Sequence, residues 1–211
     1  MESLSHWTLQ DFLARAASRE ATPGGGSVAA LAGALAAAMA AMVANLTVGR
    51  PRYAAVESEC REAIAQAENR RAVLQRLIDE DVRAFEALMA AYRMPQDGPE
   101  QQVQRGKAIQ EALGDAIRIP LETARAALDV LRLARRLAEI GNANAVSDAG
   151  VAACLAEAAV AAALRNVDIN LRGLADGARA ATLVAEREAL AEEARRLGEE
   201  ADRILDARLD R

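Results

Sequence analysis

The sequence predicts an all-α protein, an orthogonal or up-down helical bundle around a buried, Ala-rich central helix. Three observations carry that expectation. Ala supplies 53 of 211 residues and aromatics are 2%, so the core must be Leu, Val, Ile and Met interleaved with very small side chains. That composition suits closely packed helices and is poor in strand-favouring residues. Apolar positions recur with helical spacing along most of the chain. Pro and Gly fall in short clusters that end one periodic stretch and open the next, with no long linker, so residues 1–211 read as one domain.

Residues 8–19 form a short amphipathic helix with Leu9, Phe12, Leu13 and Ala16 on one side. Thr22-Pro23-Gly24-Gly25-Gly26-Ser27 ends it, and Ser27 is the expected N-cap of a second helix. This second helix runs from Val28 to about Val48 and stops at Gly49, with Pro51 beyond. Its larger residues, Val28, Leu31, Leu35, Met39, Met42, Val43 and Leu46, form one stripe. The Ala and Gly remainder lets a second partner approach closely, which puts this helix at the centre of the bundle. A long helix from about Arg52 to Tyr92 comes next, then a loop at 94–99. Another helix reaches Ile117, Pro120 interrupts or restarts it, and 121–140 is helical, closed by Gly141. The polar segment 141–148 is a loop whose Ser147 can cap a helix extending to about Leu174. A charged amphipathic helix fills most of 177–209. Ala-rich faces that need covering fit a homodimer.

Charge and composition exclude several functions. Lys and Arg number 26 against 31 Asp and Glu, a net charge of −5, which argues against a nucleic-acid or anionic-membrane surface. Residues 21–49 carry no charge and exceed the roughly 20 residues that span a bilayer. Alanine drives insertion weakly, however, and neither an aromatic belt nor a basic cluster flanks the stretch. With Glu2, His6 and Asp11 the N-terminus does not read as a signal peptide. The expectation is a cytoplasmic protein that does not enter a membrane. Two cysteines, Cys60 and Cys154, and one histidine, His6, cannot build a disulfide framework or a zinc cluster. Proton transfer would then fall to carboxylates.

Three breaches of pattern mark candidate functional residues. At about 100° per residue, Leu74, Leu77, Ile78, Val82, Phe85, Leu88, Met89 and Tyr92 form one apolar stripe, and Asp81 falls near its middle. An aspartate aimed at a core costs several kcal/mol unless paired, hydrogen-bonded or protonated. Either Asp81 meets an Arg or a helix terminus structurally, or it lines a cavity where a raised pKa suits proton transfer. Further on, Ala159, Ala162, Ala163, Asn166, Asn170, Gly173 and Gly177 form a small-residue stripe with two amides one turn apart. Tight helix packing explains it, as does an amide pair reading a flat heterocycle; Asn45, beside Ala34, Ala38 and Ala41, invites the same two readings. Finally, Gly24-Gly25-Gly26-Ser27 before a helix is a turn with a cap, or a site for an anion or carbonyl oxygen. Asp148 in a first helical turn is stabilised by the helix dipole in any case.

Several segments jointly resemble the cyclodeaminase/cyclohydrolase family of folate one-carbon metabolism, which comprises the C-terminal half of formiminotransferase-cyclodeaminase and stand-alone bacterial proteins. They are Thr22-Pro23-Gly24-Gly25-Gly26-Ser27-Val28-Ala29-Ala30, Met42-Val43 through Thr47, Gly49-Arg50, Asp79-Glu80-Asp81 with Ala84-Phe85, and Met94-Pro95. Pro120-Leu121, Gly141-Asn142 with Ser147-Asp148, and Asn166-Val167 with Ile169-Asn170-Leu171 complete the set, in order over about 7–177. The resemblance implies an all-helical, dimeric fold that binds tetrahydrofolate derivatives between helices. The implied reactions are cyclisation of 5-formiminotetrahydrofolate to 5,10-methenyltetrahydrofolate with loss of ammonia, or hydrolysis of the methenyl compound to 10-formyltetrahydrofolate. The family's catalytic aspartate, the second acid of its Asp-x-Asp pair, corresponds to Asp81. Gly24, Gly25, Gly26, Ser27, Asn45, Asn142, Ser147, Asp148, Asn166 and Asn170 are the expected substrate-binding residues, with Arg50 or Arg52 for a glutamate tail. These 211 residues contain no segment that reads as a formiminotransferase domain, which leaves the choice of reaction open. No metal or other cofactor is expected, because nothing is oxidised. A non-catalytic folate carrier or assembly protein with a structural Asp81 remains the rival.

Overall fold

The computed structural model describes residues 3–209; Glu2 lies outside them. Among the described residues six α-helices carry the architecture: α1 (Leu9–Ala16), α2 (Gly25–Asn45), α3 (Glu57–Tyr92), α4 (Pro99–Ile140), α5 (Val146–Leu171) and α6 (Gly177–Leu209). Short 3-10 turns at Leu4–His6, Pro51–Val56 and Ala143–Ala145 join them, and the described residues contain no strand. α2 packs on α3 and α5 and touches α4, while α4 packs on α3, α5 and α6. This is the all-α bundle expected from composition and periodicity.

Three local expectations need correction. α2 begins at Gly25 with Gly24 as N-cap, so Ser27 lies inside the first turn instead of capping it. α5 begins at Val146 after Ala145, which makes no side-chain cap bond, so Ser147 is not its cap either. Pro120 does not divide α4, which is continuous from Pro99 to Ile140. The backbone carbonyl that the proline leaves without a helical donor, that of Ala116, receives one from α5.

The sequence predicts two covered faces for α2, and the structure covers one of them closely and leaves much of the other exposed. Most buried positions of α2 are small: Ala29, Ala30, Ala36, Ala37, Ala40 and Ala44 are at most 1% exposed, with Val43 buried among them, whereas Val28, Leu35, Met42 and Leu46 are 45%, 51%, 37% and 40% exposed. Both faces of α2 are apolar, so hydrophobic contrast does not orient it. Close approach does, because small side chains let three neighbouring helices reach its backbone and make more dispersion contacts. At Gly33 a Cβ would lie 3.0 Å from Leu74 Cδ2, which shows how near α3 comes.

The larger residues of the core come from the neighbours: Leu74 and Leu77 of α3, Leu121, Leu128 and Leu131 of α4, and Val160 and Leu164 of α5. α6 covers one side with Leu197, Ala201 and Leu205. Ion pairs Arg132–Glu193 and Arg187–Asp168 tie it to α4 and α5, each worth little at a surface. Two helical stretches, Gly25–Asn45 and Ala143–Leu171, are long and apolar enough to cross a membrane, and 61% and 50% of their apolar windows are buried within the protein.

The orientation of α2 has a mutational consequence. Ala37→Leu inserts three carbons where no space exists and should cost about 1–3 kcal/mol in urea unfolding. An unchanged midpoint would contradict the burial of this face.

Candidate active site

The N-terminus of α2, the C-terminal half of α3, the middle of α4 and the C-terminal end of α5 enclose a cavity of about 430 Å³. Asp81 of α3 lines it and meets the start of α2. The first N–H groups of a helix have no intrahelical partner. Here Asp81 Oδ2 accepts a hydrogen bond from the Ser27 N–H at 2.8 Å. The acid is thus a cap supplied by a second helix. Among the described residues its other oxygen, Oδ1, accepts no hydrogen bond.

The approach of α3 to α2 depends on a missing side chain. A Cβ built on Gly26 would lie 2.0 Å from Asp81 Oδ1 and 2.5 Å from its Cγ. Any larger residue at 26 must displace the carboxylate.

Burial is the dominant influence on Asp81 and pushes its carboxyl above the ordinary aspartate range, while the two Ser27 hydrogen bonds pull it down. No cation is among the causes. The Ser27 hydroxyl lies 3.0 Å from both Ile78 O and Asp81 Oδ2, and it has one proton for two acceptors. The Ile78 carbonyl can only accept. When Asp81 is ionised, the hydroxyl can donate to Oδ2. When Oδ2 is protonated, it can donate to Ser27 Oγ while the serine donates to Ile78. The serine therefore has a hydrogen-bonding arrangement for either state of the acid.

α5 contributes Asn166 and Asn170 to the same cavity. Asn166 Nδ2 donates to Ala162 O at 3.0 Å and Asn170 Nδ2 donates to Ala116 O at 2.7 Å. Phe85, Met89 and Tyr92, at four, eight and eleven residues beyond Asp81, line the cavity with Leu113 and Ile169. Tyr92 is 41% exposed and Ile169 59%. A mostly apolar slot with a few polar groups at one end suits a flat heterocycle with a polar edge.

Of the residues singled out in the sequence, Gly24, Gly25, Gly26, Asp81, Asn166 and Asn170 line the cavity, and Ser27 bonds Asp81 from behind. Asn45, Asn142, Ser147 and Asp148 do not line it. Asn45 is twenty residues along α2 from Gly25 and Asp148 eighteen along α5 from Asn166, roughly 30 and 27 Å at about 1.5 Å per residue. Asn45 bonds back to Ala41 O. Asn142 joins the end of α2 to the α4–α5 turn, its N–H donating to Thr47 Oγ1 at 2.9 Å and its Nδ2 to Leu46 O at 2.9 Å. Arg50 and Arg52 lie beyond the same distal end of α2. The other acid of the Asp-x-Asp pair, Asp79, accepts from the Leu4 N–H at 2.7 Å and from Ser3 Oγ, and so anchors the N-terminal segment.

Phe85, Met89 and Tyr92 read as core residues in the sequence. Their common face with Asp81 is the available sign that they share its cavity. Among the described residues no group of three or more His, Cys, Asp or Glu side chains is placed to hold a metal ion.

Comparison with known proteins identifies the family. A family model described as Formiminotransferase-cyclodeaminase matches residues 8–189. A methenyltetrahydrofolate cyclohydrolase of Methylorubrum extorquens is 42% identical over 192 residues, covering 91% of this chain and 92% of that protein. The formimidoyltransferase-cyclodeaminase of Mus musculus is 38% identical over 175 residues, 83% of this chain but 32% of the mouse protein. The crystal structure of a formiminotetrahydrofolate cyclodeaminase from Thermotoga maritima superposes with a TM-score of 0.87 at 31% identity, covering 96% of this chain and 97% of that one. This chain is therefore a member of the formiminotransferase-cyclodeaminase family, an enzyme with the family's helical fold.

Proposed function

We propose that the chain acts on a tetrahydrofolate carrying a one-carbon unit and that Asp81 moves the proton at the reacting carbon. The observation that carries this reading is a half-buried carboxylate without a cationic partner, one oxygen held by Ser27 and the other free beside a cavity. The sequence leaves open whether 5-formiminotetrahydrofolate is cyclised or 5,10-methenyltetrahydrofolate is hydrolysed. The 42% identity to a cyclohydrolase of matching length supports hydrolysis of 5,10-methenyltetrahydrofolate as the leading reading. Cyclodeamination is the second, favoured by the resemblance to the Thermotoga maritima enzyme over nearly its whole length.

In hydrolysis Asp81 takes a proton from water as the oxygen bonds to the methenyl carbon. It returns one to N5 as the C–N5 bond breaks, and the second water proton is released to solvent as the hydroxyl becomes the carbonyl of the formyl group on N10. In cyclodeamination the proton comes from N10 as that nitrogen bonds to the formimino carbon, and it leaves on ammonia. A single carboxylate with a raised pKa serves both, contributing about 10²–10⁴-fold. Neither route needs a metal or a redox cofactor in its proton and electron balance. We place the enzyme in the cytoplasm as a homodimer, which the outward stripe of Val28, Leu35 and Met42 on α2 supports.

Both substrates can be followed side by side by the near-ultraviolet absorbance of the methenyl compound. Asp81→Asn should lower turnover of the preferred one by about 10²–10⁴-fold, and near wild-type rates would exclude the assigned role. Its stability has a defined sign. The folded state holds the Asp81 proton to higher pH than the unfolded chain does, because the folded pKa is raised. Wild-type stability contributed by this proton is present below the unfolded aspartate pKa and is lost as pH rises through the folded value. At neutral pH Asp81→Asn should therefore melt no lower than wild type, and the gap should close at acid pH; a large loss at pH 7 would make the acid structural.

Gly26→Ala should also cost at least about 10²-fold in turnover by displacing the carboxylate, even though Ala is the better helix former. Retained activity would mean that the position of Oδ1 is unimportant. Sedimentation should give the mass of a dimer, and Met42→Glu should shift it toward monomer; a monomeric wild type contradicts the assembly.

A further inference from the structure

Pro120 lies within α4 and borders the cavity. A proline inside a helix has no N–H for the carbonyl four residues earlier, which here is that of Ala116. This carbonyl receives the Asn170 amide of α5 instead, Nδ2 to oxygen 2.7 Å. Because a carbonyl only accepts, the bond determines which way the amide faces: its NH₂ group is turned to α4. Among the described residues Asn170 Oδ1 then has no donor, and Asn170 lines the cavity. One turn earlier Asn166 is held the same way, with Nδ2 on Ala162 O at 3.0 Å and no protein donor for its Oδ1 among the described residues. Both amides therefore offer the cavity acceptors. Gly25 and Gly26, facing them from the start of α2, bring N–H groups that have no partner within the helix.

We propose that Pro120 and Asn170 form one positioning device, in which the proline frees a carbonyl, the carbonyl fixes the amide, and the fixed amide oxygen accepts an N–H group of the substrate. The ligand chemistry that fits is a flat heterocycle whose edge carries ring N–H and amino donors. On the folate reading, on which this inference rests, that edge belongs to the 2-amino-4-oxopyrimidine ring of the substrate. Pro120 acts through Asn170 and does not touch the reacting atoms.

The test is a double-mutant cycle read by KM for methenyltetrahydrofolate and, independently of turnover, by calorimetric Kd for 5-formyltetrahydrofolate. Pro120→Ala restores the N–H, returns the Ala116 carbonyl to the α4 ladder and frees the Asn170 amide to rotate. KM and Kd should each rise about tenfold, the size of one lost hydrogen bond, with kcat within about threefold and a melting temperature no lower than wild type. Asn170→Ala should raise KM and Kd similarly. The double variant should be no worse than either single one and should melt above Asn170→Ala, since the Ala116 carbonyl again has a donor. Unchanged KM and Kd in Pro120→Ala, or effects of the two substitutions that multiply, would overturn the inference while leaving an active wild type intact. A wild type that binds 5-formyltetrahydrofolate but converts neither folate substrate would overturn the enzymatic reading alone, and the calorimetric cycle then decides this one.

Discussion

The hydrogen bond from the Ser27 N–H to Asp81 Oδ2 joins the two halves of this structure. It places a carboxylate from the middle of α3 at the open end of α2, where an acceptor is needed. An acid within an apolar stripe has two explanations in sequence, a structural partner or a cavity. The fold combines them in one side chain. One oxygen supplies the missing acceptor of the helix terminus and the other is left beside a cavity with no protein partner among the described residues. The aspartate is kept in its half-buried position by a backbone bond that leaves its chemistry available, and no cation pulls its pKa down.

That arrangement sets requirements on the surrounding chain. Gly26 must lack a side chain for α3 to come close, and the alanines along α2 extend the same close packing toward the distal end. The Ala-rich composition and the position of the acid are thus two consequences of one packing geometry. α2 is covered by α3, α4 and α5 on the face that carries most of its alanines, and Val28, Leu35 and Met42 are left exposed. A helix this apolar all round is usually buried on every side, yet Leu35 and Met42 of α2 are exposed.

Much of the fold is legible because its signals are local. The helices near 9–16, 57–92 and 177–209 follow from periodicity and from punctuation by Gly and Pro. The orientation of α2 is not legible, since a helix with Leu and Met on one face and Ala on the other has little polarity to read. Pro120 reads as a break because its missing hydrogen bond is replaced from a helix fifty residues further along the chain, which no local rule can see. In the site, Asp81 is found by its own helical phase, and Asn166 and Asn170 by theirs. Asn45, Asn142 and Asp148 resemble them in residue type, yet Asn45 and Asp148 sit at the far ends of α2 and α5, and Asn142 lies in the α4–α5 turn beside them. Residue type and helical face can be read from a sequence, but which end of a helix meets which neighbour depends on the packing of the whole bundle. Thr47 illustrates this: its hydroxyl receives the Asn142 N–H and donates to Val43 O at 2.8 Å, a distal joint that explains the asparagine without a ligand.

On the proposed function, the Asp81 carboxyl itself is the group whose ionisation governs turnover. The most direct measurement is the titration of that carboxyl by carbon-13 NMR with site-assigned aspartate, set against the pH dependence of kcat/KM for methenyltetrahydrofolate hydrolysis. The midpoint should lie above the ordinary aspartate value and coincide with the rising limb of the rate profile. A carboxyl that titrates at or below that ordinary value, or a rate profile indifferent to its ionisation, would contradict it.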